Sequence, residues 1–182
     1  SVDILADASV NVLKSDLTVG GVADVDTDVT TSVYSFGVQG QKTFVLDVAD
    51  ITPFIGANIY HVRGGSYSSG HGAHVGSSNA TAVEFPIGAK VSKTFDTASS
   101  MKVAPAFSLA VVPTVGDRDI DSKVKFAGAQ STYNYTFTDD VKVRTKLGVD
   151  ATSGNFNFGL QAGYEWGNEE RSSASVEARL KY

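Results

Sequence analysis

Three histidines head the residues that could do chemistry. His61, His71 and His74 fall in or beside one polar stretch, and Gly70-His71-Gly72-Ala73-His74 spaces two imidazoles three apart. That spacing could hold a surface metal ion. The chain has no cysteine and no carboxylate close by in sequence, so an incidental pair in a polar loop explains them better. Asp24, Asp26 and Asp28 alternate in one loop, and Asp117, Asp119 and Asp121 in another. Oxygen-rich loops can bind Ca²⁺, but neither run has EF-hand ligand spacing. Solvated acidic loops that keep an exposed end soluble account for both. Ser66, Ser68 and Ser69 lie near His71, yet no Gly-x-Ser-x-Gly elbow exists, and Glu169 and Glu170 are adjacent in a turn and point apart. No catalytic residue, cofactor or metal site is expected, and the chain is not expected to be an enzyme.

A second set of charges is more orderly. Lys142, Arg144 and Lys146 alternate with apolar residues, and Glu84, Lys90, Glu165, Glu177 and Arg179 occupy equivalent polar positions in other segments. If that face lines a lumen, these eight residues line it. They could hold a lumenal helix or set pore selectivity. They could equally form a neutralised interior network, the reading favoured here, because mixed charges need pairing where water is scarce.

The elements carrying them are strands. Alternation of period two is strong and helical periodicity is almost absent. Asn155–Trp166 sets Phe156, Phe158, Leu160, Ala162, Tyr164 and Trp166 against polar and small residues. Val83–Phe95 and Val141–Ala151 repeat the pattern, and Val2–Val12, Thr31–Phe44, Ile51–His61, Met101–Val115 and Ser173–Tyr182 show it less cleanly. The expectation is an all-β, antiparallel up-and-down transmembrane β-barrel of about eight strands, one domain over 1–182. Turns near Leu46–Ala49, Asp96–Ser100 and Thr152–Gly154 are tight. Loops near Gly20–Thr30, Arg63–Ala80 and Gly116–Thr138 are long, and Gly167–Arg171 is intermediate. Short turns at one end and long loops at the other is the layout of outer-membrane barrels. Ser122–Phe137 alternates too, either as a hairpin inside the longest loop or as an extra strand pair. Pro53, Pro86, Pro105 and Pro113 fall inside strands and mark bulges or strand ends.

Composition sets limits. With 182 residues and a net charge of −5, the chain has no basic block to neutralise phosphates, and nucleic acid is not an expected partner. No window approaches a membrane helix of about 20 apolar residues. A mean hydropathy of −0.04 suits a barrel whose apolar residues are hidden at every second position, and also suits a soluble protein.

Alternation shows two faces without saying which is inside. A soluble ligand-binding barrel would turn the apolar face inward, and a membrane barrel outward. Mid-strand charges on the polar face mildly favour the second. Aromatics on the apolar face gather in two belts: Phe44, Phe95, Phe156 and Tyr182 towards the short turns, and Tyr34, Phe36, Phe85, Tyr164 and Trp166 towards the long loops. Such belts match the two membrane interfaces. Glycines on the polar face, among them Gly37, Gly88, Gly159 and Gly163, imply a crowded interior.

These residues resemble a family. Tyr34-Ser-Phe-Gly-Val-Gln-Gly, Ile51-Thr-Pro-Phe-Ile-Gly-Ala, Phe85-Pro-Ile-Gly-Ala-Lys-Val-Ser-Lys-Thr-Phe, Val103-Ala-Pro-Ala-Phe-Ser-Leu-Ala-Val-Val-Pro and Asn157-Phe-Gly-Leu-Gln-Ala-Gly-Tyr resemble the translocator barrel of autotransporters, the type V secretion proteins. The ending Ser175-Val-Glu-Ala-Arg-Leu-Lys-Tyr resembles the last strand that directs such barrels to the assembly machinery. The resemblance implies a twelve-stranded barrel with a helix in its pore, in the outer membrane of a Gram-negative bacterium. Its implied partners are membrane lipid, the barrel-assembly machinery and a covalently linked N-terminal passenger that it helps to export. With about eight strands, the chain is then either the C-terminal two-thirds of a larger barrel or an eight-stranded relative. A small structural or adhesive outer-membrane barrel and a soluble ligand-binding barrel are the alternatives.

Overall fold

A computed structural model describes residues 2–19, 25–68, 74–97, 101–168 and 172–181. In chain order the strands are β1 (Asp3–Val19), β2 (Val25–Gln41), β3 (Phe44–Val45), β4 (Asp50–Gly64), β5 (Tyr67–Ser68), β6 (His74–Val75), β7 (Ser78–Glu84), β8 (Ile87–Ser92), β9 (Phe95–Asp96), β10 (Lys102–Gly116), β11 (Asp119–Phe126), β12 (Ala129–Thr136), β13 (Val141–Ser153), β14 (Phe156–Gly167) and β15 (Ser172–Lys181). No helix occurs among the described residues.

The wall is one antiparallel sheet in the order β1-β2-β4-β7-β10-β13-β14-β15, with β3, β8 and β9 extending its strands. All eight expected strands are present. The loop expected over Gly20–Thr30 is shorter, because β1 and β2 run on as a ladder to the pair Val19–Val25. The segment Val83–Phe95 is divided into β7, β8 and β9, yet the pairing with β10 keeps one register from Thr114 opposite Glu84, through Val111 opposite Ile87, to Lys102 opposite Asp96.

The prolines create no bulge, since the register does not change; Pro86 does stand at a strand end, in the break between β7 and β8, while Pro53, Pro105 and Pro113 lie within β4 and β10, which corrects the sequence expectation for those three. Proline loses its donor but keeps its acceptor. Here Pro53, Pro86, Pro105 and Pro113 accept from the backbone N–H of Lys42, Gly56, Lys93 and Phe85 respectively. The ladder drops single bonds and does not shift.

Side-chain burial shows which face is concave. On β4, Thr52 and Val62 are buried while Ile51, Pro53, Ile55 and Ile59 are exposed. On β10, Ala110, Val112 and Thr114 are buried while Phe107, Leu109, Val111 and Val115 are exposed. Asp7 of β1 and Gln161 of β14 line one cavity of about 340 Å³. In a flat sheet six strand spacings of ~4.8 Å would hold them nearly 30 Å apart, so the sheet curls into a barrel with its polar face inside. Glycines relieve crowding there: a Cβ on Gly37 would meet the carboxylate of Asp7 and the amide oxygen of Asn58 at 2.6 and 2.5 Å.

Short turns lie at one end. Gly154 takes φ +57° beside the closing pair Ser153–Phe156, a two-residue hairpin turn that needs this left-handed glycine. The opposite end carries a second sheet in the order β12-β11-β6-β5. The segment Ser122–Phe137 is thus a hairpin outside the wall. Ala127 and Gly128 turn it at φ 48° and 83°, between the paired Phe126 and Ala129.

Among the described residues, strands β1 and β15 are the two edges of the wall and are not paired with one another.

Candidate functional site

The lumen gathers most of the charges that alternation places inside. Glu84 ends β7, Lys142 and Arg144 begin β13, and Glu165 stands opposite Arg144 on β14. Between β7 and β13 runs β10, whose inward Val112 is fully buried. Its short side chain lets the longer ones meet over it. Lys142 Nζ bonds Glu84 Oε1 and lies 3.2 Å from Glu165 Oε1. Arg144 donates from Nε to Glu165 Oε2 at 2.6 Å and from Nη2 to Glu84 Oε2 at 3.3 Å, and its Nη2 also lies 2.6 Å from Glu165 Oε2. Two cations thus share two carboxylates. Glu84 and Lys142 are the most enclosed, with side chains 5% and 11% exposed. Pairing of this kind lets charges stay ionised away from bulk water.

The other four expected lumen residues face the same way but do not join. Glu177 and Arg179 pair at 3.2 Å on the edge strand β15, both largely exposed. Lys90 and Lys146 each stand opposite Ser108 of β10. Asp7 and Gln161, which alternation sets on the polar face without singling them out, line the lumen cavity together with Asn58 and Tyr60, which sequence reasoning missed. Counting on by one from Ile59 places Tyr60 inward.

A wider cavity of about 670 Å³ lies between the wall and the β11–β12 hairpin, lined by Leu13, Val33, Val62, Ile120 and Phe137 among others. The histidines do not converge on it. His61 points outward, with Nδ1 2.8 Å from Thr81 Oγ1, and His74 Nδ1 lies 2.8 Å from Ser68 Oγ. His71 and Asp24 lie outside the described residues. Asp119 accepts from Thr136 at 2.5 Å and Asp121 from Asn134 at 2.8 Å across the hairpin.

The outer face is apolar. Tyr34, Phe36, Phe44, Phe85, Phe95, Phe156, Tyr164 and Trp166 all lie exposed on it, as do Phe107 and Phe158, which the two belts omitted. Tyr182 lies outside the described residues. On β4 the run Ile51, Pro53, Ile55, Ala57, Ile59 gives way to His61 and Arg63. Tyr34 stands beside His61 at that margin, ring centroids 6.3 Å apart. On neighbouring strands the next outward row is Ser32, Arg63 and Asn79.

Residues 2–165 match the family model described as the autotransporter beta-domain. The chain belongs to the autotransporter β-domain family. No curated protein and no solved structure matches it significantly. An autotransporter β-domain is an outer-membrane β-barrel translocator. The wall fits that architecture: up-and-down strands, short turns at one end, a polar lumen and an apolar outer face. A soluble barrel with its apolar face around a ligand is the opposite arrangement. In the autotransporter barrel, the charges from β7, β13 and β14 become features of a translocator's lumen.

Proposed function

We propose that this chain resides in the outer membrane of a Gram-negative bacterium, where it anchors an N-terminal passenger and assists its export to the cell surface. The single observation that carries this reading is the family match over most of the chain. The apolar outer wall supports it, because so many large exposed side chains require a lipid solvent. In this reading the aromatic residues meet the membrane interfaces, and the polar margin at His61 and Arg63 stands at the cell-surface side. The last strand is the segment through which the assembly machinery receives the barrel. The domain itself is no enzyme.

The test uses the full-length protein with an epitope tag in the segment preceding Ser1, expressed in a Gram-negative host. Export predicts that protease added to whole cells removes the tag, while the barrel stays with the outer-membrane fraction and migrates faster on gels unheated than boiled. A tag shielded in intact cells, beside a correctly inserted barrel, would refute passenger export and favour the structural or adhesive barrel.

A further inference from the structure

The lumen beside the four-residue charge cluster holds two further lysines. Lys90 on β8 and Lys146 on β13 flank Ser108 in a single row across the wall. Among the described residues neither lysine has an ion pair or a hydrogen bond. The nearby carboxylates are otherwise placed. Glu165 binds Arg144 and Lys142, and Glu177 pairs with Arg179. Asp150 and Asp7 line the same cavities as the lysines, Asp150 beside Gly159 and Asp7 beside Gly37, yet neither makes an ion pair with Lys90 or Lys146. Lys90, Ser108, Lys146 and Gln161 together line two adjoining cavities of about 340 and 70 Å³.

Two strand spacings set the lysine backbones ~10 Å apart. Four-carbon stems can close that span onto one group between them. Two ammonium groups, a hydroxyl and a carboxamide can all donate hydrogen bonds. Two like charges facing one cavity repel, and a group of opposite sign between them relieves that repulsion. We propose that Lys90, Ser108 and Lys146 form an anion site in the lumen, which binds an oxyanion: a phosphate or a carboxylate. The oxyanion is either a dissolved anion or an acidic side chain of polypeptide lying in the lumen. The site is independent of passenger export, since a barrel that exported nothing could hold it.

Pyridoxal 5′-phosphate tests this directly, because its aldehyde forms an imine with a lysine amine, releasing water, while its phosphate seeks the same site. The full-length protein in detergent micelles is treated, reduced with borohydride and peptide-mapped, with and without inorganic phosphate. A parallel sample receives a zero-length carbodiimide. A dissolved-anion site predicts that Lys90 and Lys146 are labelled ahead of the hairpin residues Lys123 and Lys125. Inorganic phosphate then slows their labelling several-fold and leaves the hairpin unaffected, and Lys146→Gln abolishes the protection at Lys90. A side-chain oxyanion of polypeptide in the lumen predicts instead that the carbodiimide joins Lys90 or Lys146 to an Asp or Glu outside the wall strands, and not to Asp7 or Asp150 of the wall. If phosphate gives no protection and no such amide forms, the site does not exist.

Discussion

Phe54 faces Gly88 across the β4–β8 ladder, and its ring occupies the space a side chain at Gly88 would need. A Cβ at Gly88 would lie 2.7 Å from Phe54 Cζ and 2.8 Å from Ala110 Cβ, and nearer still to the carbonyl oxygen of Leu109. The missing methyl is what leaves room for an aromatic ring at this point of the polar lumen.

Gly88→Ala should therefore destabilise the barrel by ~1–3 kcal/mol, the usual cost of overpacking. Gly40→Ala is the control, because its Cβ would meet only the Ile55 carbonyl oxygen at 4.0 Å. Urea unfolding of the barrel in lipid vesicles measures both, and equal loss in the two variants would contradict the packing account.

Glu84 holds both Lys142 and Arg144. Removing it as Glu84→Ala leaves two cations sharing one carboxylate, which should cost ~3 kcal/mol, as when one partner of an enclosed pair is removed. Glu177→Gln breaks the exposed pair with Arg179 and should change stability by no more than ~1 kcal/mol. The same unfolding experiment ranks them.

Leu147 is 63% exposed on the outer face. On a water-soluble protein Leu147→Arg would be nearly neutral. In a bilayer it should cost ~2–4 kcal/mol near the midplane, whereas Lys146→Arg, one residue away and facing the lumen, should cost little. Refolding yields into vesicles distinguish the two environments.

The β11–β12 hairpin belongs to a separate sheet. Replacing residues 119–136 with a short polar turn should leave the wall able to fold and to show heat-dependent mobility on gels. Loss of that behaviour would mean that the hairpin takes part in barrel formation, not only in covering its mouth.

Much of the wall was legible in the residues. The alternation from Phe156 to Trp166 marks β14 almost to the residue, and all the other wall strands follow the same signal, because a pleated strand repeats every two residues. The hairpin over Ser122–Phe137 was visible as alternation but not as a location. Nothing local says whether Tyr133 and Tyr135 belong to the wall or to a flap above it. Prolines misled for a similar reason. A proline forfeits one donor wherever it stands, and only the neighbouring strands show that Pro105 and Pro113 sit in unbroken register.

The sequence by itself determined that this protein is a sheet and which residues share a face, because chain stereochemistry decides both locally, and it left open whether Ser122–Phe137 adds to the eight strands of the wall. The tertiary structure decided which face is concave, that Glu84 reaches Lys142 across β10, and that Lys90 and Lys146 flank Ser108 without a carboxylate between them. Those relationships join segments as many as 58 residues apart. Strand order, register and curvature bring them together, and no local pattern encodes these.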